Sequence, residues 1–212
     1  MRKLRVTTFL TLDGVMQAPG GPEEDPSGGF AHGGWSATYW DDRLDQEMTE
    51  FMGRDFDMLL GRKTYEIFAA FWPGSTVPGA DALNSARKHV ASTTLRSVDW
   101  SNSTLIKGDV GAYVANLKKE SGPEIQVHGS GQLIQTLLRN DLVDEFHLVV
   151  FPIVLGSGKR LFAEGTVPAA FTSVDVETSN TGVIIATYQR AGAVKYGSFA
   201  PDESAAAEVS GR

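Results

Sequence analysis

The chain contains no cysteine among its 212 residues. This absence excludes disulfides, thiolate nucleophiles and cysteine-based metal sites, and it fits a reducing compartment. Histidine is also scarce, and the four histidines show neither a metal-ligand spacing nor an HExxH pair. A serine hydrolase is disfavoured as well, because the GxSxG elbow is missing. We therefore expect no metal site, and acid–base chemistry falls to carboxylates.

Positive charge is in deficit, with 19 lysines and arginines against 26 acids and a formal net charge of -7. A nucleic-acid binder needs a basic surface, so we expect no nucleic-acid partner. No apolar run has the length of a membrane span, and the first residues lack the features of a signal peptide. We expect a cytoplasmic protein with no membrane partner. An anionic ligand would need a local basic patch.

Hydrophobic periodicity predicts strands alternating with helices. Strands are expected at 4–12, 56–60, 86–93, 103–107, 124–128 and 144–151, and helices at 41–53, 64–71, 110–120 and 132–139. Residues 171–178 and 182–190 predict an antiparallel hairpin. This order indicates one α/β domain over residues 1–190, with a mostly parallel sheet covered on both faces. Residues 191–212 are small, polar and aperiodic, which predicts a disordered tail.

Residues 17–36 contain six glycines, three prolines and three acids, which predicts a long loop rather than a packed element. Such a loop is usually functional or disordered. We expect a mobile lid over the substrate side, with Phe30 and Trp35 available to pack onto a bound ring. A plain linker is the alternative.

Two strand–glycine–helix junctions are candidate phosphate sites. Gly61-Arg62-Lys63-Thr64 joins a buried strand to a helix, whose N-terminus presents free N–H groups and partial positive charge. An ordinary capped turn with two surface cations explains these residues equally well. Gly129-Ser130-Gly131 matches only the first half of the GxGxxG fingerprint, since residue 134 is isoleucine. A standard Rossmann site is not expected.

Carboxylates on the 41–53 helix are the candidate acids. Asp41 and Asp45 flank an apolar stripe that contains Leu44 and Met48. A carboxyl group beside apolar surface can have a raised pKa. Acids at a helix N-terminus can instead simply stabilise the helix dipole.

Four segments in order resemble the dihydrofolate reductase and riboflavin-reductase family. FDMLLGRKTYEIF resembles the strand–GR-x-T-[WY]-E–helix segment of dihydrofolate reductases, and TFLTLDGVM resembles the first strand and turn of riboflavin-enzyme reductase domains. VHGSGQLIQTLL looks like the strand–Gly-Gly–helix segment that holds the pyrophosphate, and DEFHLVVFPIVLGSGKRLF is similar to the riboflavin-type ending. The resemblance covers residues 4–190.

The resemblance implies a central eight-stranded, mostly parallel sheet, NADPH bound across its carboxyl edge, and a homodimer. Gly61, Arg62, Lys63 and Thr64 would meet the adenosine-side phosphates, and Ser92 and Thr93 the 2′-phosphate. Gly129, Ser130, Gly131 and Gln132 would cradle the pyrophosphate, at a position where the family has a cis peptide between paired glycines. Thr8, Gly14 and Met16 would face the nicotinamide. The catalytic carboxyl would be Asp45, then Asp41 if the register slips, with Asp13 as a further candidate.

The sequence thus predicts an NADPH-dependent reductase of a small heterocycle, with 5-amino-6-ribosylaminouracil phosphate or a related pyrimidine or pterin as the substrate class. A dinucleotide-binding module without turnover is one alternative. A folate reductase proper is another, disfavoured because Val149 stands where those enzymes carry a strand threonine.

Overall fold

The computed structural model describes residues 1–162 and 164–199, which form an eight-stranded sheet with flanking helices. The strands are β1 (Leu4–Thr11), β2 (Phe56–Gly61), β3 (Lys88–Ala91), β4 (Ser103–Ile106), β5 (Glu124–His128), β6 (Glu145–Phe151), β7 (Ala170–Thr178) and β8 (Ile184–Gly192). The helices are α1 (Asp42–Met52), α2 (Arg62–Phe71), α3 (Ala80–Ser85), α4 (Val110–Leu117) and α5 (Gly131–Arg139). The strand order is β4-β3-β2-β5-β1-β6-β8-β7. The pairings from β4 to β6 are parallel, whereas β8 is antiparallel to both β6 and β7. The predicted architecture is confirmed.

Alternating side chains of the strands supply apolar cores on both faces of the sheet. In β2, Leu59 packs into the cluster that α4 and α5 cover, while Met58 and Leu60 pack on the other face with residues of α2 and α3. On that second face, Leu44 of α1 packs with Val149. The two-sided burial explains why β2 is a nearly continuous apolar run.

Several element boundaries differ from the sequence-based expectation by a few residues, and one helix was not expected at all. The six-residue helix α3 was not predicted, because it is too short to show a period. It begins after Gly79, whose left-handed φ of +90° and close approach to the Met52 side chain suit glycine. At the other end β8 runs to Gly192, so residues 191 and 192 are strand rather than tail. Residues 193–199 have no regular secondary structure, and the rest of the predicted tail lies outside the described residues.

The 17–36 loop packs more closely than its composition predicts. Phe30 is 7% exposed and Trp35 is 6% exposed, so the expectation that both rings are free to pack onto a ligand is wrong. Trp35 Nε1 donates to the Gln17 carbonyl at 2.8 Å, and its ring meets Phe151 edge-on. Lys159 Nζ lies 2.6 Å from Asp25 Oδ2. These contacts anchor the loop at several points along its length.

Within residues 1–162 and 164–199, no helix combines the length and apolarity needed to cross a bilayer. The same part of the chain holds no group of three or more His, Asp or Glu side chains placed to bind a metal ion.

Candidate functional site

A large cleft lies along the carboxyl edge of the parallel strands, between the ends of β1, β2, β3 and β5 and the 17–25 segment of the loop. Ligands of open α/β sheets bind outside the carboxyl ends of the strands. Of the residues singled out for cofactor binding, all except Gly14 line this cleft: Thr8, Met16, Gly61, Arg62, Lys63, Thr64, Ser92, Thr93, Gly129, Ser130, Gly131 and Gln132.

The two glycine junctions are joined to each other by Ser130. Its Oγ accepts a hydrogen bond from the Gly61 amide at 2.9 Å and donates one to the His128 carbonyl at 2.8 Å. Its own amide donates to Thr64 Oγ1 at 3.1 Å. The junctions meet because β2 and β5 are neighbours in the sheet. The first turns of α2 and α5 are therefore held side by side at the cleft.

These two helix N-termini have the properties of an anion site. Neither Gly61 nor Ser130, the N-cap residues, caps its helix through a side-chain hydrogen bond, so the first-turn N–H groups are free for a ligand. Gly129 has φ +50°, and a Cβ there would sit 3.0 Å from Thr64 Oγ1. The peptide bonds of the described residues are all trans, so the family's cis peptide is absent here. The residues present fit a bound pyrophosphate.

Several cations line the cleft into which this anion site opens. Arg62 is 47% exposed on its side chain and forms an ion pair with Glu66 at 2.9 Å, while Lys63 is exposed. Sequence reasoning missed Arg96 and Lys107, which are exposed, line the cleft, and form no ion pair within the described part of the chain. Both follow strand ends, as Arg62 does. The signal was available, because the carboxyl ends of parallel strands meet at one edge.

At the end of β3, Ser92 and Thr93 differ in availability. The Ser92 hydroxyl accepts the amides of Thr94 and Leu95 at 3.1 and 2.9 Å. This local turn fixes the backbone after β3 and occupies the acceptor side of Ser92. Thr93 is exposed to the cleft.

Asp45 is the one of the three candidate acids that lines the cleft. Its Oδ1 accepts the Trp40 indole N–H at 2.7 Å, and the Trp40 ring lies 5.9 Å from that of Phe9, centroid to centroid. The second carboxylate oxygen, Oδ2, has no hydrogen-bond partner among the described residues. The side chain is thus oriented by one contact and open to a ligand through the other oxygen.

Asp41 caps α1 and lies outside the cleft. Its Oδ1 accepts the Leu44 amide at 3.1 Å, and its Oδ2 accepts the Thr181 amide at 3.1 Å. Desolvation would raise the pKa of Asp41, but hydrogen bonds from Leu44, Ser179 and Thr181 outweigh it and lower that pKa overall. Oδ1 therefore caps α1, and Oδ2 ties the start of α1 to the β7–β8 turn.

Asp13 fastens the turn after β1 to the glycine-rich connection after β6. It accepts from Thr11 Oγ1 at 2.6 Å and from the Gly156 amide at 2.9 Å, and Arg160 lies 3.1 Å away. The hydrogen bond from Thr11, aided by backbone and Arg160 contacts, holds the pKa of Asp13 far below its usual range despite desolvation. This carboxylate stays ionised at neutral pH, which gives it a structural role.

Residues 2–185 match the RibD C-terminal domain. A curated relative, YyaP of Bacillus subtilis (strain 168), is 28% identical over 88% of this chain and 94% of its own length, and is uncharacterised. A Shewanella sp. PV-4 protein assigned to riboflavin biosynthesis superimposes with a TM-score of 0.69 at 24% identity, covering 89% of this chain and 98% of that one. Dihydrofolate reductase from Enterococcus faecalis, solved in complex with NADP(H), gives a TM-score of 0.56 at 15% identity, covering 89% and 96%.

The structural neighbours share the fold, and the family match extends over most of the chain. The protein therefore belongs to the RibD C-terminal domain family.

Proposed function

We propose that this protein is an NADPH-dependent reductase of a small nitrogen heterocycle, of the pyrimidine or pterin class. The observation that carries the proposal is the pair of uncapped helix N-termini, joined through Ser130 and opening into one cleft. A dinucleotide carries several phosphate groups, and the cleft offers cationic side chains and backbone N–H groups that can bind them. Family membership and the fold shared with reductases support the same function.

The positive charges in the cleft indicate which cofactor the protein would bind. In a chain with a net charge of -7, the cleft nevertheless carries Arg62, Lys63, Arg96 and Lys107. An additional phosphate on the adenosine ribose would meet these cations and the Thr93 hydroxyl, which favours NADPH over NADH. Gly129 and Gly131 allow the backbone to approach the pyrophosphate closely.

The substrate side is set by Asp45 and the aromatic rings near it. NADPH, when bound, supplies a hydride to an unsaturated carbon of the substrate. The nitrogen or oxygen left with the electron pair then needs a proton, and the carboxyl group of Asp45 delivers it, directly or through a water. The indole N–H of Trp40 holds Oδ1, and Oδ2 has no hydrogen-bond partner among the described residues.

A folate-type substrate is less well supported. Val149 is fully buried in an apolar cluster with Leu44 and Phe151, so this strand position offers a substrate no hydroxyl.

Titration of the protein with NADPH and with NADH, followed by intrinsic tryptophan fluorescence, tests the cofactor assignment. We expect NADPH to bind at least tenfold more tightly, the difference that about 1.4 kcal/mol of phosphate contacts produces. NADPH oxidation is then measured across pyrimidine, pterin and folate substrates. Equal affinity for the two nucleotides, or no oxidation with any pyrimidine or pterin, would refute the proposal.

A further inference from the structure

Two neighbouring polar side chains in the cleft wall each have a solvent-sealed polar atom without a hydrogen-bond partner among the described residues. Thr7 of β1 is 5% exposed, and its Oγ1 has no hydrogen-bond partner among the described residues. His128, at the end of β5, is half-buried, and its Nε2 is sealed from solvent and equally unpartnered. The parallel register of β1 and β5 places Thr7 directly opposite His128, and both residues line the cleft.

The surroundings of His128 are apolar. The ring of Phe51 meets it edge-on with centroids 5.3 Å apart, and the Phe68 ring lies at 6.0 Å. Desolvation lowers the pKa of His128 to about 4, so the imidazole is neutral at physiological pH. A neutral imidazole offers one N–H donor and one nitrogen acceptor. Rotation about the Cβ–Cγ bond can turn a ring nitrogen toward the cleft.

His147, the next polar residue across the sheet from Thr7, has different surroundings. His147 of β6 lies opposite Thr7 on the other side. Its Nδ1 is 3.0 Å from Thr187 Oγ1, and its Nε2 is 3.1 Å from Glu47 Oε1. His147 Nε2 makes no well-formed hydrogen bond either, but a carboxylate lies beside it, away from the cleft. Thr7 Oγ1 and His128 Nε2, in the cleft wall, have no such charged neighbour among the described residues.

Buried polar groups are almost always hydrogen-bonded, because an unsatisfied one lowers stability. Valine and phenylalanine would fill the positions of Thr7 and His128 without that loss. The position of His128 also matters: it directly precedes Gly129, and its carbonyl accepts the Ser130 hydroxyl. A ring that touches His128 therefore lies next to the dinucleotide site.

We propose that Thr7 and His128 are specificity-determining residues that bind the polar edge of the substrate ring. The complementary ligand is a planar nitrogen heterocycle that presents adjacent N–H and C=O groups, as a pyrimidinedione or pteridinedione does. Rings without such an edge leave both side chains unsatisfied and are rejected. This inference rests on the proposed function and deepens it by defining the chemistry of the substrate.

The test uses the full chain and two bicyclic probes. Lumazine carries N–H and carbonyl groups around its dione ring, and quinoxaline, of the same size, carries neither. We expect lumazine to bind at least tenfold more tightly than quinoxaline, and we expect Thr7→Val and His128→Phe each to reduce that preference by about tenfold. The control is His89→Phe: His89 is buried in β3 with Nδ1 2.9 Å from the Tyr113 hydroxyl, outside the cleft. It should leave the preference unchanged.

Thermal unfolding of the same variants separates binding from structure. If the two side chains serve a ligand, Thr7→Val and His128→Phe unfold at the wild-type temperature or above it, whereas His89→Phe unfolds below it. Lower unfolding temperatures with an unchanged lumazine preference would overturn the proposal, as would a wild-type protein that shows no preference. Should His128→Phe not fold, the near-isosteric Thr7→Val decides alone.

NADPH titration of the variants keeps this proposal distinct from the reductase assignment. Affinity for NADPH should be unchanged by either substitution. A wild-type protein that fails to bind NADPH, but still prefers lumazine through Thr7 and His128, would refute the reductase and support the polar-edge pair. NADPH binding without any preference for lumazine would support the reductase assignment and refute the role of Thr7 and His128.

Discussion

Asp45 and its neighbour Asp42 make a matched pair for testing proton delivery. Both are exposed and lie in the first turn of α1, but Asp45 lines the cleft and Asp42 lies outside it. Once a turnover substrate is known, Asp45→Asn should lower the turnover number by roughly 100-fold or more, the usual share of a general acid. Asp42→Asn should change it little, and NADPH affinity should stay constant in both. Full activity of Asp45→Asn would assign proton delivery to water.

Arg62 has two possible partners, a bound phosphate and Glu66. If it contacts phosphate, Arg62→Ala should weaken NADPH binding by about 1.5–3 kcal/mol, the range for a charge-assisted hydrogen bond. Arg54→Ala is the control, because Arg54 is exposed outside the cleft. An NADPH dissociation constant equal to that of wild type would reduce Arg62 to the surface ion pair with Glu66.

At the level of residues, sequence predicts the site where a glycine marks a strand end and fails where no motif does. Gly61 and Gly129 indicated the two junctions that Ser130 joins. Arg96 and Lys107 have no motif around them, and only the rule that the carboxyl ends of parallel strands share one edge could have indicated them. The sequence did not show which of Asp45 and Asp41 is available to a ligand. That distinction depends on the hydrogen bond from Thr181 to Asp41, and Thr181 is remote in sequence.

Lys88 organises the corner between α3 and β3. It is fully buried, and its ammonium donates to the carbonyls of Asn84, Ala86 and Ser101 at 2.9, 2.7 and 3.1 Å, above the Trp100 ring. Lys88→Met would leave three part-buried carbonyl hydrogen bonds without this donor. We expect a loss of about 2–3 kcal/mol in the free energy of unfolding, measured by urea titration. The exposed Lys119→Met is the control, and equal stability of the two variants would contradict this role.

The loop segment at 19–25 borders the cleft, while Phe30 and Trp35 anchor its later part. Hydrogen exchange should therefore divide the loop. Amides at 30–36 should exchange slowly without ligand, and those at 19–25 should become slow only when NADPH and a substrate are both present. Uniform fast exchange along 17–36 under saturation would indicate a plain linker.

At the level of elements, periodicity predicted the strands and the longer helices within a few residues. It missed α3, which spans fewer than two turns. The packing of the loop was also beyond sequence, because it depends on partners such as Lys159 and Phe151, more than a hundred residues away. A composition rich in glycine and proline predicts that a segment lacks regular helix or strand, but it does not predict whether the segment packs against the rest of the protein.

The whole molecule should lose stability in two steps as the pH falls. Burial lowers the pKa of His128 to about 4. As the pH falls from about 6.5 to about 4, this side chain becomes protonated in the unfolded chain but not in the folded one, and the folded state therefore loses stability. The carboxylates of Asp13, Asp41 and Glu145 have lowered pKa values, so their stabilisation is present above about pH 4 and is lost below it.

Urea titrations between pH 7 and 3 measure both steps. The first step should amount to on the order of 3 kcal/mol for His128. His128→Phe should remove the His128 contribution to this step and leave both the contribution of His89, whose pKa burial also lowers, and the second step intact. An identical pH profile for the variant and the wild type would show that His128 does not remain neutral in the folded chain.

Ser130 and Gly61, whose hydrogen bond joins the two helix N-termini, stand 69 residues apart in the chain. Neither half of the anion site is complete until β2 and β5 have paired at the centre of the sheet. Such a distant contact forms late, because closing a long stretch of chain costs entropy before any contact repays it. A newly synthesised molecule would thus gain its affinity for the ligand only at the end of folding. A nucleotide in solution would then stabilise fully folded molecules against proteolysis and would not protect partly folded ones.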